Sequence, residues 1–161
     1  MKSNMEEVYK EHAKSVFRYL LSLSHDEDMA EELTQETFYR AVYSADKYDG
    51  SCKMSVWLCQ IAKHVWYQEL EKRKKNKTEE LNEYIASAEL SPEDKYFKDN
   101  DKLSLYRAIN RLGGPMKEVV YLRLTGNFSF AEIGEILNKS ETWARTAFYR
   151  AKQKIIEESN K

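Results

Sequence analysis

Apolar side chains in this chain recur roughly every three to four positions, in stretches separated by short polar breaks, which is the signature of amphipathic helices. Val8, Val16, Tyr19 and Leu23 predict a first helix from about Met5 to Leu23. Ser24 and Glu27 have the spacing of a capping box, so a second helix is expected to start near His25, with Met29, Leu33, Phe38 and Val42 at or near one face. It should end before Lys47-Tyr48-Asp49-Gly50, where Asp-Gly marks a turn, and a loop should run through Met54. Trp57, Leu58, Ile61, Ala62, Val65 and Leu70 predict a third helix from about Val56 to Lys75.

The periodicity then stops. Between Asn76 and Asp99 the chain is polar and acidic, Ser91-Pro92 breaks any helix passing through it, and Leu81, Tyr84, Ile85 and Leu90 are its apolar anchors. Helical spacing resumes near Asn100 with Leu103, Tyr106, Ile109 and Leu112, and Gly113-Gly114 ends it. Pro115 suits the first turn of a following helix that carries Val119, Val120, Leu122 and Leu124. The expected fold is therefore all-α, with two small helical domains over residues 1–75 and 100–161 joined by a flexible acidic linker over 76–99.

The most specific local signal follows Thr125-Gly126-Asn127. Ser129 and Glu132 form a second capping-box pair, Phe130, Ile133, Ile136 and Leu137 share one face, Asn138-Lys139 interrupts, and Ser140 can cap a longer helix. A short helix, a tight turn and a longer helix make a helix-turn-helix, whose second helix reads the major groove of duplex DNA. That second helix carries Lys139, Arg145, Arg150, Lys152 and Lys154 against Glu141 alone. Ser140, Glu141, Thr142, Arg145, Thr146 and Tyr149 are placed to meet base edges, and Arg145, Arg150 and Lys152 to neutralise phosphates. Trp143, Ala147 and Phe148 are expected in the core, against Ile133 and Leu122. The competing reading of these residues is a plain helical hairpin with a solvated basic face.

Charge changes the picture through its distribution, since the formal net value over the 161 residues is only −1. Asp26 to Glu36 is an acidic stretch without a basic residue, whereas Lys72-Arg73-Lys74-Lys75 and Lys77 are basic. Alternating blocks suit several partners, with phosphate near the basic ones, or else a set of solvated helix faces. In the third helix Trp57, Trp66, Tyr67 and His64 lie among Lys63, Lys72, Arg73 and Lys74. Aromatics among cations suit unstacked single-stranded bases; buried tryptophans beside solvated lysines are the alternative.

Little points to catalysis. The chain has no nucleophile paired with a base, no Gly-rich phosphate loop and no metal-spaced ligand set, so neither a metal nor another cofactor is expected. A hydrolase using the carboxylates of Glu31 to Glu36 lacks any environment to separate their pKa values. Cys52 and Cys59, if both helical, would lie about 10 Å apart along the axis, too far for a disulfide, and read as reduced thiols. No apolar run approaches a membrane span and the N-terminus lacks a signal-peptide core, so a cytoplasmic location is the expectation.

Several segments, in order, resemble the bacterial RNA polymerase sigma factors, and the two-domain layout resembles their extracytoplasmic-function (ECF) group. They are Glu31-Glu32-Leu33-Thr34-Gln35-Glu36-Thr37-Phe38-Tyr39-Arg40-Ala41, Lys47-Tyr48-Asp49-Gly50 with Val56-Trp57-Leu58-Cys59-Gln60-Ile61-Ala62-Lys63, then Glu118-Val119-Val120-Tyr121-Leu122-Arg123 and Phe128-Ser129-Phe130-Ala131-Glu132-Ile133-Gly134. The resemblance implies a region 2 domain, a linker and a region 4 domain. It implies that Glu31, Glu32, Gln35, Glu36, Phe38 and Arg40 meet the clamp helices of core RNA polymerase. It implies that the loop 47–55 and the start of the next helix capture a flipped base of the −10 element, with Lys53, Met54, Trp57, Lys63, His64, Tyr67, Gln68, Lys72 and Arg73 along the strand. The terminal helix would read the −35 element, region 4 would sit at the β flap, and an anti-sigma factor, often membrane-bound, would hold the protein inactive. The chain departs from the family pattern at His64 and Gln68, at Gly113-Gly114 and at Trp143. The rival function is an autonomous helix-turn-helix regulator that binds duplex DNA without polymerase.

Overall fold

The computed structural model describes residues 5–76 and 100–159, and every described element is helical. The first bundle consists of α1 (Met5–Ser24), α2 (Glu27–Tyr43), a short 3₁₀ turn (Ala45–Lys47) and α3 (Met54–Lys75). Its core gathers Val16, Tyr19, Leu20, Leu33, Leu58 and Val65 from the three helices. Two threonines of α2 are also buried, and each is satisfied locally: Thr34 and Thr37 donate to the carbonyls of Ala30 and Leu33 at 2.6 and 2.7 Å.

Two boundaries differ from the sequence expectation. The cap of α2 is Asp26 and not Ser24: the Asp26 carboxylate accepts from the Met29 N–H at 3.2 Å. His25 takes a left-handed φ of 57°, which ends α1 at Ser24 and leaves the Ser24 hydroxyl to accept from the Asp26 N–H at 3.3 Å. A carboxylate at this position also complements the positive end of the helix dipole, together with Glu27 and Asp28 in the first turn. The third helix begins at Met54, two residues before the expected start at Val56. The Asp49-Gly50 turn is present: Gly50 has φ 80°, and Asp49 Oδ1 accepts from the Ser51 N–H at 2.9 Å.

The second bundle consists of α4 (Asn100–Arg111), α5 (Gly114–Leu124), α6 (Phe130–Leu137) and α7 (Glu141–Ser159). The anchors Leu81, Tyr84, Ile85 and Leu90 and the Ser91-Pro92 break lie outside the described residues. Both halves of the capping box at α6 form: Ser129 Oγ accepts from the Glu132 N–H at 3.1 Å, and Glu132 Oε1 accepts from the Ser129 N–H at 2.8 Å. Asn138 closes α6 in a left-handed conformation, φ 58°, and Ser140 Oγ accepts from the Trp143 N–H at 3.0 Å to cap α7. Ile133, Ile136 and Leu137 pack on Leu122, Ala144 and Ala147, while Leu112, Val120 and Ala151 form a small second cluster.

The two bundles pack on one another, α3 against α6 and α1 against α5, and their buried residues join into one cluster. Polar links cross the contact: Tyr19 Oη donates to Glu118 Oε1 at 3.0 Å, Gln60 Nε2 to the Glu135 carbonyl at 3.1 Å, and Lys53 Nζ lies 3.3 Å from Glu132 Oε2. The fit is incomplete, since a cavity of about 90 Å³ remains between Val16, Tyr19 and Cys59 on one side and Tyr121 and Phe128 on the other.

Candidate functional site

The acidic face of α2 arises because one stripe of the helix, Ala30, Leu33, Phe38 and Ala41, is committed to the core. Glu31, Glu32 and Gln35 are exposed, and Glu36 is half-buried where it accepts from Arg40 Nε at 3.0 Å. Arg40 also donates to Gln68 of α3, so the two helices share the walls of a shallow groove with Glu32, Leu33 and Val65. Phe38 differs from its expected role as a surface contact. It is 6% exposed, with its ring edge-on to Tyr9 at 4.9 Å, and it holds the helix in place from behind. Tyr39 and Tyr43, 59% and 74% exposed with ring centroids 4.7 Å apart, stand beside the acids instead. They were missed because single aromatics say nothing of their side; their spacing of four and the buried stripe opposite them are the signal. Exposed paired aromatics next to charge mark an interaction surface.

On α3, His64, Tyr67, Gln68 and Lys72 are exposed, as is Lys53 just before the helix, while Met54, Trp57, Lys63 and Arg73 are half-buried. Lys63 Nζ sits 5.2 Å from the Tyr67 ring centroid, and burial lowers the lysine's pKa. Trp66 is not a stacking platform for bases. It is 7% exposed, and the Arg73 guanidinium lies 5.5 Å from its ring, with Arg73 held by Glu69 at 3.5 Å. Trp57 does face an opening: with Tyr48, 5.0 Å away and tilted by 37°, it walls a recess over the loop that also meets Lys47, Asp49 and Cys52. The Ser51 hydroxyl and N–H hold the Asp49 carboxyl below its usual range.

The outer face of α7 is open. Glu141, Thr142, Arg145, Thr146, Tyr149, Arg150 and Lys152 are exposed, and Ser140 is occupied as the cap. Arg145 is held in place beforehand: it donates to Glu141 at 3.1 Å and lies 5.5 Å from the Phe130 ring, whose centroid is also 4.3 Å from the Arg123 guanidinium. Ala147 is buried as expected. Trp143 and Phe148 are only half-buried, and the fully buried residues that seat the helix are Ala144 and Ala151.

Titratable groups at the contact between the bundles are perturbed. Burial pushes the Cys59 thiol up to about 12, so it is a neutral thiol at neutral pH, and both cysteines are free. Burial raises the Glu118 carboxyl, opposed by the Tyr19 hydrogen bond and by the Lys63 and Lys117 charges, and burial raises Tyr19 as well. Among the described residues no three His, Cys, Asp or Glu side chains converge as a metal site, and no helix is long and apolar enough to cross a membrane.

Comparison with known proteins matches the family descriptions "Sigma-70 region 2" to residues 8–76 and "Sigma-70, region 4" to residues 102–155. The chain is 29% identical over 154 residues to the ECF RNA polymerase sigma factor SigM of Bacillus subtilis, covering 94% of this chain and 92% of that protein. It is 24% identical over 157 residues to the RNA polymerase sigma factor YlaC of the same organism, covering 96% and 91%. Its fold is similar to that of the sigma factor RpoE from Bartonella quintana, solved in complex with the anti-sigma factor NepR, at a TM-score of 0.79 and 21% identity over 94% of each chain. CnrH, solved with the cytosolic domain of CnrY, superposes at a TM-score of 0.70 and 17% identity over 99% of this chain and 90% of that one.

Proposed function

The chain belongs to the ECF group of the sigma-70 family, and on that premise we propose how its surfaces divide the work of a sigma factor that binds core RNA polymerase and directs promoter-specific initiation. Residues 1–75 act as the region 2 domain, 76–99 as the linker and 100–161 as the region 4 domain. Glu31, Glu32, Gln35, Glu36 and Arg40, with Tyr39 and Tyr43, meet the polymerase clamp helices. Lys53, Met54, Trp57, Lys63, His64, Tyr67, Gln68, Lys72 and Arg73 track the −10 strand, with a flipped base in the Tyr48–Trp57 recess. Glu141, Thr142, Arg145, Thr146, Tyr149, Arg150 and Lys152 read and anchor the −35 duplex, and region 4 docks at the β flap. The protein performs no bond chemistry; the polymerase does. It works in the cytoplasm, and an anti-sigma factor holds it inactive; the similar RpoE is solved in complex with the anti-sigma factor NepR.

The observation that carries this reading is the pairing, on one chain, of an open cationic helix on a capped helix-turn-helix with a separate aromatic recess in the other bundle. Duplex reading needs the first and a melted strand needs the second. An autonomous regulator of duplex DNA would leave the recess and the acidic face of α2 without use. The direct test is transcription reconstituted from this protein and bacterial core polymerase on genomic fragments. Discrete protein-dependent start sites are expected; tight duplex binding by the protein alone, with no initiation, would favour the regulator.

Arg145→Ala should weaken −35 duplex binding by about 1–3 kcal/mol, the range for a two-pronged arginine contact, with core affinity unchanged in a pull-down. Equal loss of both activities would remove α7 as the −35 reader.

A further inference from the structure

We infer that α6 serves as a built-in cover for the single-strand recess, so that the free chain presents its duplex-reading helix while its strand-capturing loop is closed. This rests on the reading of loop 47–55 as the −10 site. The recess is bounded on one side by Lys47, Tyr48 and Trp57 and on the other by Glu135 of α6. One turn earlier on α6, the Glu132 carboxylate reaches Lys53 at 3.3 Å, and Gln60 donates to the Glu135 carbonyl at 3.1 Å. An incoming strand would bring phosphates toward Lys47 and Lys53. In the closed chain the carboxylate of Glu132 already stands at Lys53, and that of Glu135 borders the recess. Strand and α6 therefore compete for the same cations and the same space.

The duplex-reading face is not part of this contact. Arg145, Arg150 and Lys152 stay exposed on α7 while α6 lies on α3. Closure is held at its far end by Glu118, 9% exposed, which accepts from Tyr19 Oη and is approached by Lys63 of α3 and Lys117 of its own helix. A cavity of about 90 Å³ lies beside that hydrogen bond and an ion pair marks the rim, so the contact between the bundles is incompletely packed. When only an open fraction is competent, apparent strand affinity falls by that fraction.

The latch can be reversed away from the DNA surfaces. Glu118→Lys sets a third cation beside Lys63 and Lys117 when closed, but leaves an ordinary solvated lysine on α5 when open. The readout of closure is a zero-length carbodiimide cross-link between Lys53 and Glu132, identified by peptide mass spectrometry in the full chain. Strand access is read by anisotropy with a short fluorescein-labelled single strand of mixed sequence, and the matching duplex corrects for the added charge. Wild type should give the cross-link. Glu118→Lys should lose it, keep its helical circular dichroism, and show a single-strand to duplex affinity ratio about tenfold higher or more, as expected when a state populated at a tenth or less becomes dominant.

A wild-type chain without the cross-link, or a Glu118→Lys chain that keeps it, overturns the closure. A lost cross-link with an unchanged ratio overturns the cover. A lost cross-link with no single-strand binding by either protein removes the −10 reading itself and leaves closure standing, so the two failures are told apart.

Discussion

Replacing Glu32 and Glu36 together by lysine should lower affinity for core RNA polymerase about a hundredfold while the free chain keeps its helical content. Losing one partner of a charge pair that is desolvated on docking costs about 2–5 kcal/mol, and reversal adds repulsion; each 1.4 kcal/mol is a factor of ten. Inside the free protein the same change is mild. Glu32 is exposed, and the pair it would break, Glu36 with Arg40 at 3.0 Å, is a surface i,i+4 pair. Such a pair contributes about 0.3–0.5 kcal/mol. Binding should therefore fall by far more than stability. Reversing Glu7 and Glu11 on α1 makes the same change in net charge away from the groove and serves as the control. Equal losses from both double variants would mean that polymerase responds only to total charge, and unchanged core affinity in the Glu32, Glu36 variant would remove α2 as the docking face.

The acids themselves could be located in the sequence, but what stands among them could not. The Asp26–Glu36 run shows as charge without any structure. That Phe38 turns inward and Tyr39 and Tyr43 outward follows only once the buried stripe of α2 is fixed against α1 and α3. Trp66 and Trp57 make the same point. Both lie among lysines and arginines at helical spacing, yet one is covered by Arg73 and the other opens onto a recess. Local chemistry was readable where a side chain bonds to the nearby backbone, as at Ser129, Ser140 and the Asp49-Gly50 turn. It misled at Ser24, where the capping-box spacing was satisfied but a neighbouring aspartate made the better cap. The packing of one bundle on the other was not legible at all. Tyr19 and Glu118 are 99 residues apart, and periodicity gives the face a helix buries but not the helix it is buried against.

Gly134→Ala should destabilise the helix-turn-helix by about 2 kcal/mol net, lowering the melting temperature by roughly 4–8 °C for a chain of this size. A glycine inside α6 invites the opposite expectation, because alanine is the better helix former by about 1 kcal/mol. Here the turn after α6 closes directly onto it. Lys139 donates its N–H to the Gly134 carbonyl at 2.7 Å, and Asn138 takes the left-handed conformation that brings the chain back. A Cβ on residue 134 would stand 2.6 Å from the Lys139 carbonyl oxygen and 3.1 Å from the Ser140 backbone. These are backbone atoms at the cap of α7, so the added methyl is accommodated only by pushing the recognition helix outward. The −35 affinity should fall along with the melting temperature. Gly113→Ala is the fitting comparison: nothing lies within 4 Å of its Cβ, and its φ of −83° suits any residue. There the lost cap preference of glycine and the lower entropy of the unfolded chain nearly cancel, leaving stability within about 0.5 kcal/mol of the parent. If Gly134→Ala melted with the parent, the turn would have to sit further from α6, and the direction in which α7 presents Arg145 to the groove would change with it.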